Sequence, residues 1–139
     1  MTLSPVLVVD DDPSIVSLVQ KQLEFAGLEV CVATTGVQAV ALMKENLFRV
    51  VLADINMPGM DGLKMICALK KISPLVQVVF LTAHASLDRA IDCIDRGACD
   101  ILSKASDWSL IIPSVLSAME RCARWMTFLN NQAVVPTQN

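Results

Sequence analysis

No apolar run in this 139-residue chain approaches the ~20 residues that a helix needs to cross a bilayer. Mean hydropathy is high, at +0.55, yet charges punctuate every run, so the apolar content reads as a packed interior. A basic excess is missing too. Eleven Lys and Arg face fourteen Asp and Glu, a net charge of -3, which argues against a surface built to attract nucleic-acid phosphates. The opening Met1-Thr2-Leu3-Ser4-Pro5 lacks the basic start and apolar stretch of a signal peptide, and a cytoplasmic location is expected. There is no CxxC pair, and one histidine, His84, accompanies Cys31, Cys67, Cys93, Cys99 and Cys122. An odd number of cysteines so spaced argues against a zinc site or a disulfide framework. They are expected as reduced thiols packed like small apolar residues. Internal repeats, low-complexity stretches and domain linkers are also missing before the polar end at 130–139. What is present, 54% hydrophobic and 18% charged residues, suffices for one domain with its own core and is too short for two.

Short apolar runs alternate with amphipathic segments of helix length, the pattern of repeated βα units in a parallel sheet covered on both faces. Strands are expected at residues 6–9, 28–33, 50–53, 76–81 and 101–103. Asp12-Pro13 supplies an N-cap and a first-turn proline for a helix carrying Ile15, Leu18, Val19, Gln22 and Leu23 at helical spacing and ended by Gly27. Further helices are expected at 37–44, with Val37, Val40, Ala41 and Leu42 largely inward, and at 63–71. Another runs from the cap Ser86 to Arg96, and the last spans 108–128. Pro113 inside that last segment implies either a late start, with 106–110 as a separate turn, or a kink. Residues 130–139 read as a frayed tail. Between the third strand and third helix, Ile55-Asn56-Met57-Pro58-Gly59-Met60-Asp61-Gly62 reads as a turn with special backbone angles.

The ends of the strands carry the chemistry. Val6-Leu7-Val8-Val9 runs into Asp10, Asp11 and Asp12, three like charges that raise each other's pKa unless a cation or hydrogen bonds compensate. The third strand ends in Asp54, the fourth in Thr82 and the fifth in Lys104. Right-handed crossovers bring the C-terminal ends of parallel strands to one edge, where open α/β sheets bind ligands. Asp10, Asp11, Asp54, Thr82 and Lys104 are therefore expected to converge. Each alone is explained as a cap or loop residue; all five at equivalent ends are not.

At these residues the chain resembles the receiver domain of the bacterial two-component response regulators. The resemblance covers residues 6–124. It rests on Val8-Val9-Asp10-Asp11-Asp12, Asp54-Ile55-Asn56-Met57-Pro58-Gly59-Met60-Asp61-Gly62, Leu81-Thr82-Ala83 and Lys104. It implies a flavodoxin-like (βα)5 α/β fold, a doubly wound parallel sheet of five strands in the order 2-1-3-4-5. Residues 4–127 would be the receiver domain, and 128–139 a tail or the start of a linker to an output domain. Asp54 would accept a phosphoryl group from the phosphohistidine of a sensor histidine kinase or phosphotransfer protein. Mg2+ (or Mn2+) would be held by Asp10, Asp11, Asp54 and the backbone carbonyl of Asn56. Lys104 and the Thr82 hydroxyl would meet phosphoryl oxygens, and the small Ala83 would leave room. The output face would be the fourth helix, fifth strand and fifth helix, serving a homodimer or a target, with neither nucleic acid nor membrane engaged by this domain. No turnover of outside substrates is expected. Aspartyl-phosphate phosphatases use a second Asp two places after the nucleophile, and Asn56 stands there.

The chain departs from the family pattern at two places. Lys104 is followed by Ala105 where the family usually has a cis proline, so either a trans bond with a reshaped loop or a strained cis bond is expected. Ile101 replaces the aromatic that rotates with the switch. His84, two places after Thr82, either orients or blocks the water that hydrolyses the phosphoryl group, or is a solvated loop residue. Trp108 and the segment Arg124-Trp125-Met126-Thr127-Phe128-Leu129 either dock on the domain's own core, form an interface or lead into a further domain. These departures leave an alternative, a pseudo-receiver that binds a partner and is never phosphorylated. The helix continuing past Arg121 favours a piece of a longer regulator over a free-standing one.

Overall fold

A computed structural model of the chain describes residues 6–84 and 86–134. Five βα units follow one another: β1 (Val6–Val9), α1 (Pro13–Phe25), β2 (Val30–Ala33), α2 (Gly36–Glu45), β3 (Val50–Ala53), α3 (Gly62–Ile72), β4 (Gln77–Thr82), α4 (Leu87–Asp95), β5 (Asp100–Ser103) and α5 (Ile111–Val134). The strands pair in parallel in the order β2-β1-β3-β4-β5, as expected. Alternation along each strand divides the core into two layers. Leu7, Val9, Val51, Ala53, Val78 and Phe80 face α2 and α3, meeting Ala39, Met43, Met65, Ile66 and Leu69. Val6, Val8, Val50, Leu52, Val79 and Leu81 face α1 and α5, meeting Val19, Leu23, Ile111, Val115 and Ala118. The central strands are thus buried on both faces, which is why they read as continuous apolar runs.

Local chemistry fixes the helix starts. Asp12 Oδ1 accepts from Ser14 N at 2.9 Å, Thr35 Oγ1 from Gln38 N at 3.0 Å, Asp61 Oδ1 from Lys64 N at 2.9 Å and Ser86 Oγ from Arg89 N at 3.2 Å. Each satisfies an orphan amide of a first turn. Gly27 and Gly97 follow helix ends with φ of 86° and 90°, the left-handed region that glycine enters without strain.

Three expectations need correction, and one open alternative is settled. The second strand begins at Val30, not Leu28. The inward face of α2 is Gly36, Ala39 and Met43; of the residues expected inward, Val40 and Leu42 pack partly buried against the core, while Val37 and Ala41 are exposed. Packing against α3 chose a face one step away from the apolar spacing, with Gly36 so close to Met60 that a Cβ would lie 2.9 Å from its carbonyl oxygen. Of the two alternatives at Pro113, the late start of the last helix holds. Trp108–Leu110 is a separate 3-10 turn, and Pro113 is the third residue of α5, where its missing N–H has no intrahelical partner to lose. Finally, α5 continues through residues 130–134, which were expected to fray. No glycine or proline interrupts the chain between Pro113 and Pro136. Residues 4–5 and 135–139 of the expected domain and tail lie outside the described residues.

Candidate functional site

The sheet's hydrogen-bond ladder extends one step beyond its strands and sets the site. Asp10 N bonds Ala33 O at 3.2 Å, Asp54 N bonds Val9 O at 3.0 Å and Lys104 N bonds Thr82 O at 2.9 Å. Backbone pairing therefore aligns the polar groups that end β1, β3, β4 and β5. Lys104 Nζ reaches Asp10 Oδ2 at 2.7 Å and Asp54 Oδ2 at 3.0 Å. The other carboxylate oxygens are held from behind: Asp10 Oδ1 accepts from Asp12 N at 2.9 Å and Asp54 Oδ1 from Asn56 N at 3.1 Å. Asp10, Asp54 and Thr82 are buried; Asp11 is exposed at the rim.

Electrostatics reflect this crowding. Burial lifts the Asp10 carboxyl above its ordinary 3.8, although Lys104 and the Asp12 N–H pull it down. Burial pushes the Lys104 ammonium down, but its hydrogen bonds to Asp10 and Asp54 outweigh that and raise it above 10.5. Two carboxylates share one cation, leaving the cluster with a net negative charge. Asp10, Asp11 and Asp54 each present an oxygen within 4.8 Å of one another. Three hard oxygen donors so close, one of them open to solvent, suit a divalent cation such as Mg2+, which keeps several waters and takes few carboxylates.

The β3–α3 loop holds Asp54 from the other side. Gly59 has φ of 77°, as the turn reading anticipated. Gly62 serves differently: a Cβ there would sit 2.7 Å from Asp54 O and 2.8 Å from Ile55 Cα, and its N–H closes the loop onto Ile55 O at 2.7 Å.

The loop after Lys104 resolves the question raised by Ala105. Cis peptide bonds are absent among the described residues, so the trans alternative holds. Ala105 donates the N–H that a proline lacks, to Ser103 Oγ at 3.1 Å. Asp107 Oδ2 accepts from Ser103 N at 2.8 Å, and Trp108 Nε1 donates to Lys104 O at 2.5 Å. Trp108 thus docks on its own domain, and a reshaped loop keeps Lys104 in place. Trp125 and Phe128 stand half exposed, edge to face at 6.2 Å between ring centroids.

Ile101 packs partly buried against the α2–α3 core layer. Ala83 and His84 are exposed. The backbone carbonyl of His84 organises its surroundings, accepting from Thr82 Oγ1 and from Asn56 Nδ2, both at 3.3 Å. Two residues at the site were missed from the sequence: Trp108, as the donor to Lys104, and Arg89, whose Nη2 donates to Asn56 Oδ1 at 2.9 Å. No spacing signal marks a surface arginine in a helix's first turn as reaching a loop 33 residues away. The cysteines fit expectation as unpaired thiols, but Cys67 is exposed where packing was expected. All five are free thiols, and burial raises those of Cys93, Cys99 and Cys122 above their ordinary value, which keeps them protonated.

A five-stranded 2-1-3-4-5 sheet with acidic, hydroxyl and ammonium groups at one edge defines a doubly wound α/β domain with a charged site, and comparison with known proteins identifies its family. The sequence model of the response regulator receiver domain matches residues 6–115. The chain is 38% identical over 103 residues to the transcriptional regulatory protein ZraR of Klebsiella oxytoca, covering 74% of this chain and 23% of that protein. The crystal structure of a CheY-like response regulator receiver domain protein from Methanospirillum hungatei JF-1 superposes with a TM-score of 0.83 at 26% identity, covering 88% of this chain and 98% of that one. The solution structure of the beryllofluoride-activated NtrC4 receiver domain dimer gives 0.79 at 35% identity, covering 84% and 97%. The chain belongs to the response regulator receiver domain family, whose members signal by phosphorylation. It spans about a quarter of the length of the curated relatives it matches. Among the described residues no helix is long and apolar enough to cross a membrane.

Proposed function

We propose that Asp54 accepts a phosphoryl group from a phosphohistidine of a sensor histidine kinase or phosphotransfer protein, and that the chain relays this signal. The observation that carries the proposal is the placement of Asp54: buried at a strand end, with carboxylates of Asp10 and Asp11 beside it and Lys104 Nζ at 3.0 Å. An Asp54 carboxylate oxygen attacks phosphorus, the P–N bond breaks, and its electron pair returns to the imidazole ring of the donor. Such a transfer needs in-line positioning and neutralised charge more than covalent help. Asp10, Asp11, Asp54 and the backbone carbonyl of Asn56 would hold Mg2+ (or Mn2+), which when bound neutralises the phosphoryl oxygens. Lys104 gives a compact charge to one oxygen, and Thr82 turns its hydroxyl from His84 O toward another.

The added charge of about -1.5 to -2 then biases the face of α4, β5 and α5. Exposed Leu87, Ile91 and Ile94 on α4 suit that face to a partner or to a second copy, as in the NtrC4 receiver dimer. Ile101, stiff at χ1, passes the change on weakly or by another route. The chain acts as a signalling receiver in the cytoplasm and turns over no outside substrate. The pseudo-receiver alternative leans on Ala105, and Lys104 reaching Asp54 despite that residue favours the phosphorylated reading. Peptide mapping by mass after reaction with Mg2+ and a small acyl phosphate tests it. The phosphoryl group is expected on Asp54; its appearance elsewhere, or nowhere, overturns the proposal.

A further inference from the structure

The hydrogen bonds beside Asp54 run on into α4. The His84 carbonyl gathers the Thr82 hydroxyl and the Asn56 side-chain N–H, and the Asn56 amide oxygen accepts from Arg89 Nη2 at 2.9 Å. Arg89 is the third residue of α4, and its own N–H is fixed on the Ser86 cap. One chain of polar contacts thereby joins the end of β4, the β4–α4 loop, the β3–α3 loop and the first turn of α4.

Three features give Arg89 weight in that chain. Apolar packing anchors α4 weakly: Cys93 is its one buried residue, while Leu87, Ile91 and Ile94 face outward. A polar contact at its first turn is therefore a large share of what holds it. Asn56 is itself bound to the acceptor, its N–H on Asp54 Oδ1, and its side chain is exposed, at the solvent mouth of the site beside Asp54. Finally, when Thr82 turns to a phosphoryl oxygen it leaves His84 O, and the Asn56 amide remains as the link, its Nδ2 on His84 O holding the two loops together and its Oδ1 on Arg89 holding them to α4.

We propose that Arg89 is a positioning residue of the phosphoacceptor site, an inference that rests on the function proposed above. It holds the Asn56 amide across the mouth, so that hydrolysis of phospho-Asp54 is slowed, and by the same bond it ties α4 to the acceptor loop. In that hydrolysis a water oxygen bonds to phosphorus, the P–O bond to Asp54 breaks, the carboxylate is regenerated, and the water's protons pass to phosphate and solvent. Arg89 acts on this step through Asn56 and touches none of the reacting atoms.

The test compares wild type, Arg89→Ala, Asn56→Ala and the double variant after loading with a small acyl phosphate and Mg2+, removing the donor and following the decay of the phosphoprotein by intact mass. Each single variant is expected to lose its phosphoryl group about three- to tenfold faster, the scale of one lost hydrogen bond. The double variant should be no faster than either single one, and Arg89→Lys should recover part of the lifetime. Single-variant effects that multiply in the double, or an unchanged lifetime in Arg89→Ala, overturn the inference. Amide exchange needs no phosphoryl group: Arg89→Ala should speed exchange across α4 and leave α3 unchanged, and equal exchange in α4 overturns the tie. Failure of wild type to load defeats the proposed function itself; a loaded wild type with four equal lifetimes defeats the role of Arg89 alone.

Discussion

At the scale of single residues the site balances one cation against three carboxylates. Because the folded Asp10 carboxyl titrates above 3.8, the folded chain binds that proton more tightly than the unfolded chain does. Stability from this group is greatest below pH 3.8 and falls as pH rises through the folded value. Asp10→Asn is therefore expected to unfold at an equal or higher urea concentration than wild type at pH 7 in EDTA, and a lower midpoint contradicts the burial argument. Millimolar Mg2+ should move the wild-type midpoint upward, by about 1.4 kcal/mol at ten times its dissociation constant, and leave Asp10→Asn nearly unmoved. Lys104 has the same sign of pH dependence, in a higher window: held above 10.5, it stabilises fully below pH 10.5 and loses that contribution as pH climbs past the folded value. These residues were legible in the sequence because each ends an apolar run. Arg89 and Trp108 were not, since a hydrogen bond between distant segments leaves no periodicity to read.

At the scale of elements, loops do the positioning and their tolerances are narrow. Gly62→Ala places a methyl group against the backbone of Asp54, and overpacking there should destabilise the domain by about 1–3 kcal/mol while slowing phosphorylation, read as a paired loss in urea midpoint and loading rate. Trp108→Phe keeps an aromatic six-membered ring and removes the five-membered ring whose N–H meets Lys104 O. A loss of about 1 kcal/mol is expected, and an unchanged midpoint would show that the bond does not hold the loop. Helix starts were legible because Asp12 and Ser86 are capping residues next to apolar segments. The register of α2 was not: Val37, Val40, Ala41 and Leu42 offer apolar choices on several sides, and only the close approach of Gly36 to Met60 selects among them. The length of α5 escaped for a similar reason. Asn130, Asn131 and Gln132 look like a tail, but nothing before Pro136 breaks the helix.

At the scale of the molecule, two core layers on a five-stranded sheet make the arrangement of the site a consequence of topology. Strand order puts β1 and β3 side by side, so their terminal aspartates must be neighbours, and β5 lies one strand beyond β4, within reach of a long lysine side chain. The parallel sheet was legible because βα alternation with apolar strands admits few other arrangements, while its strand order came from the resemblance to receiver domains. The central claim is that these converging groups make Asp54 a cation-assisted phosphoryl acceptor. The most direct measurement is intact mass over time with a small acyl phosphate, in Mg2+ and in EDTA, for wild type and Asp54→Asn. One added phosphoryl group in wild type with Mg2+, lost in EDTA and in Asp54→Asn, is the predicted result. No addition to folded wild type in Mg2+, or equal addition to Asp54→Asn, would contradict it.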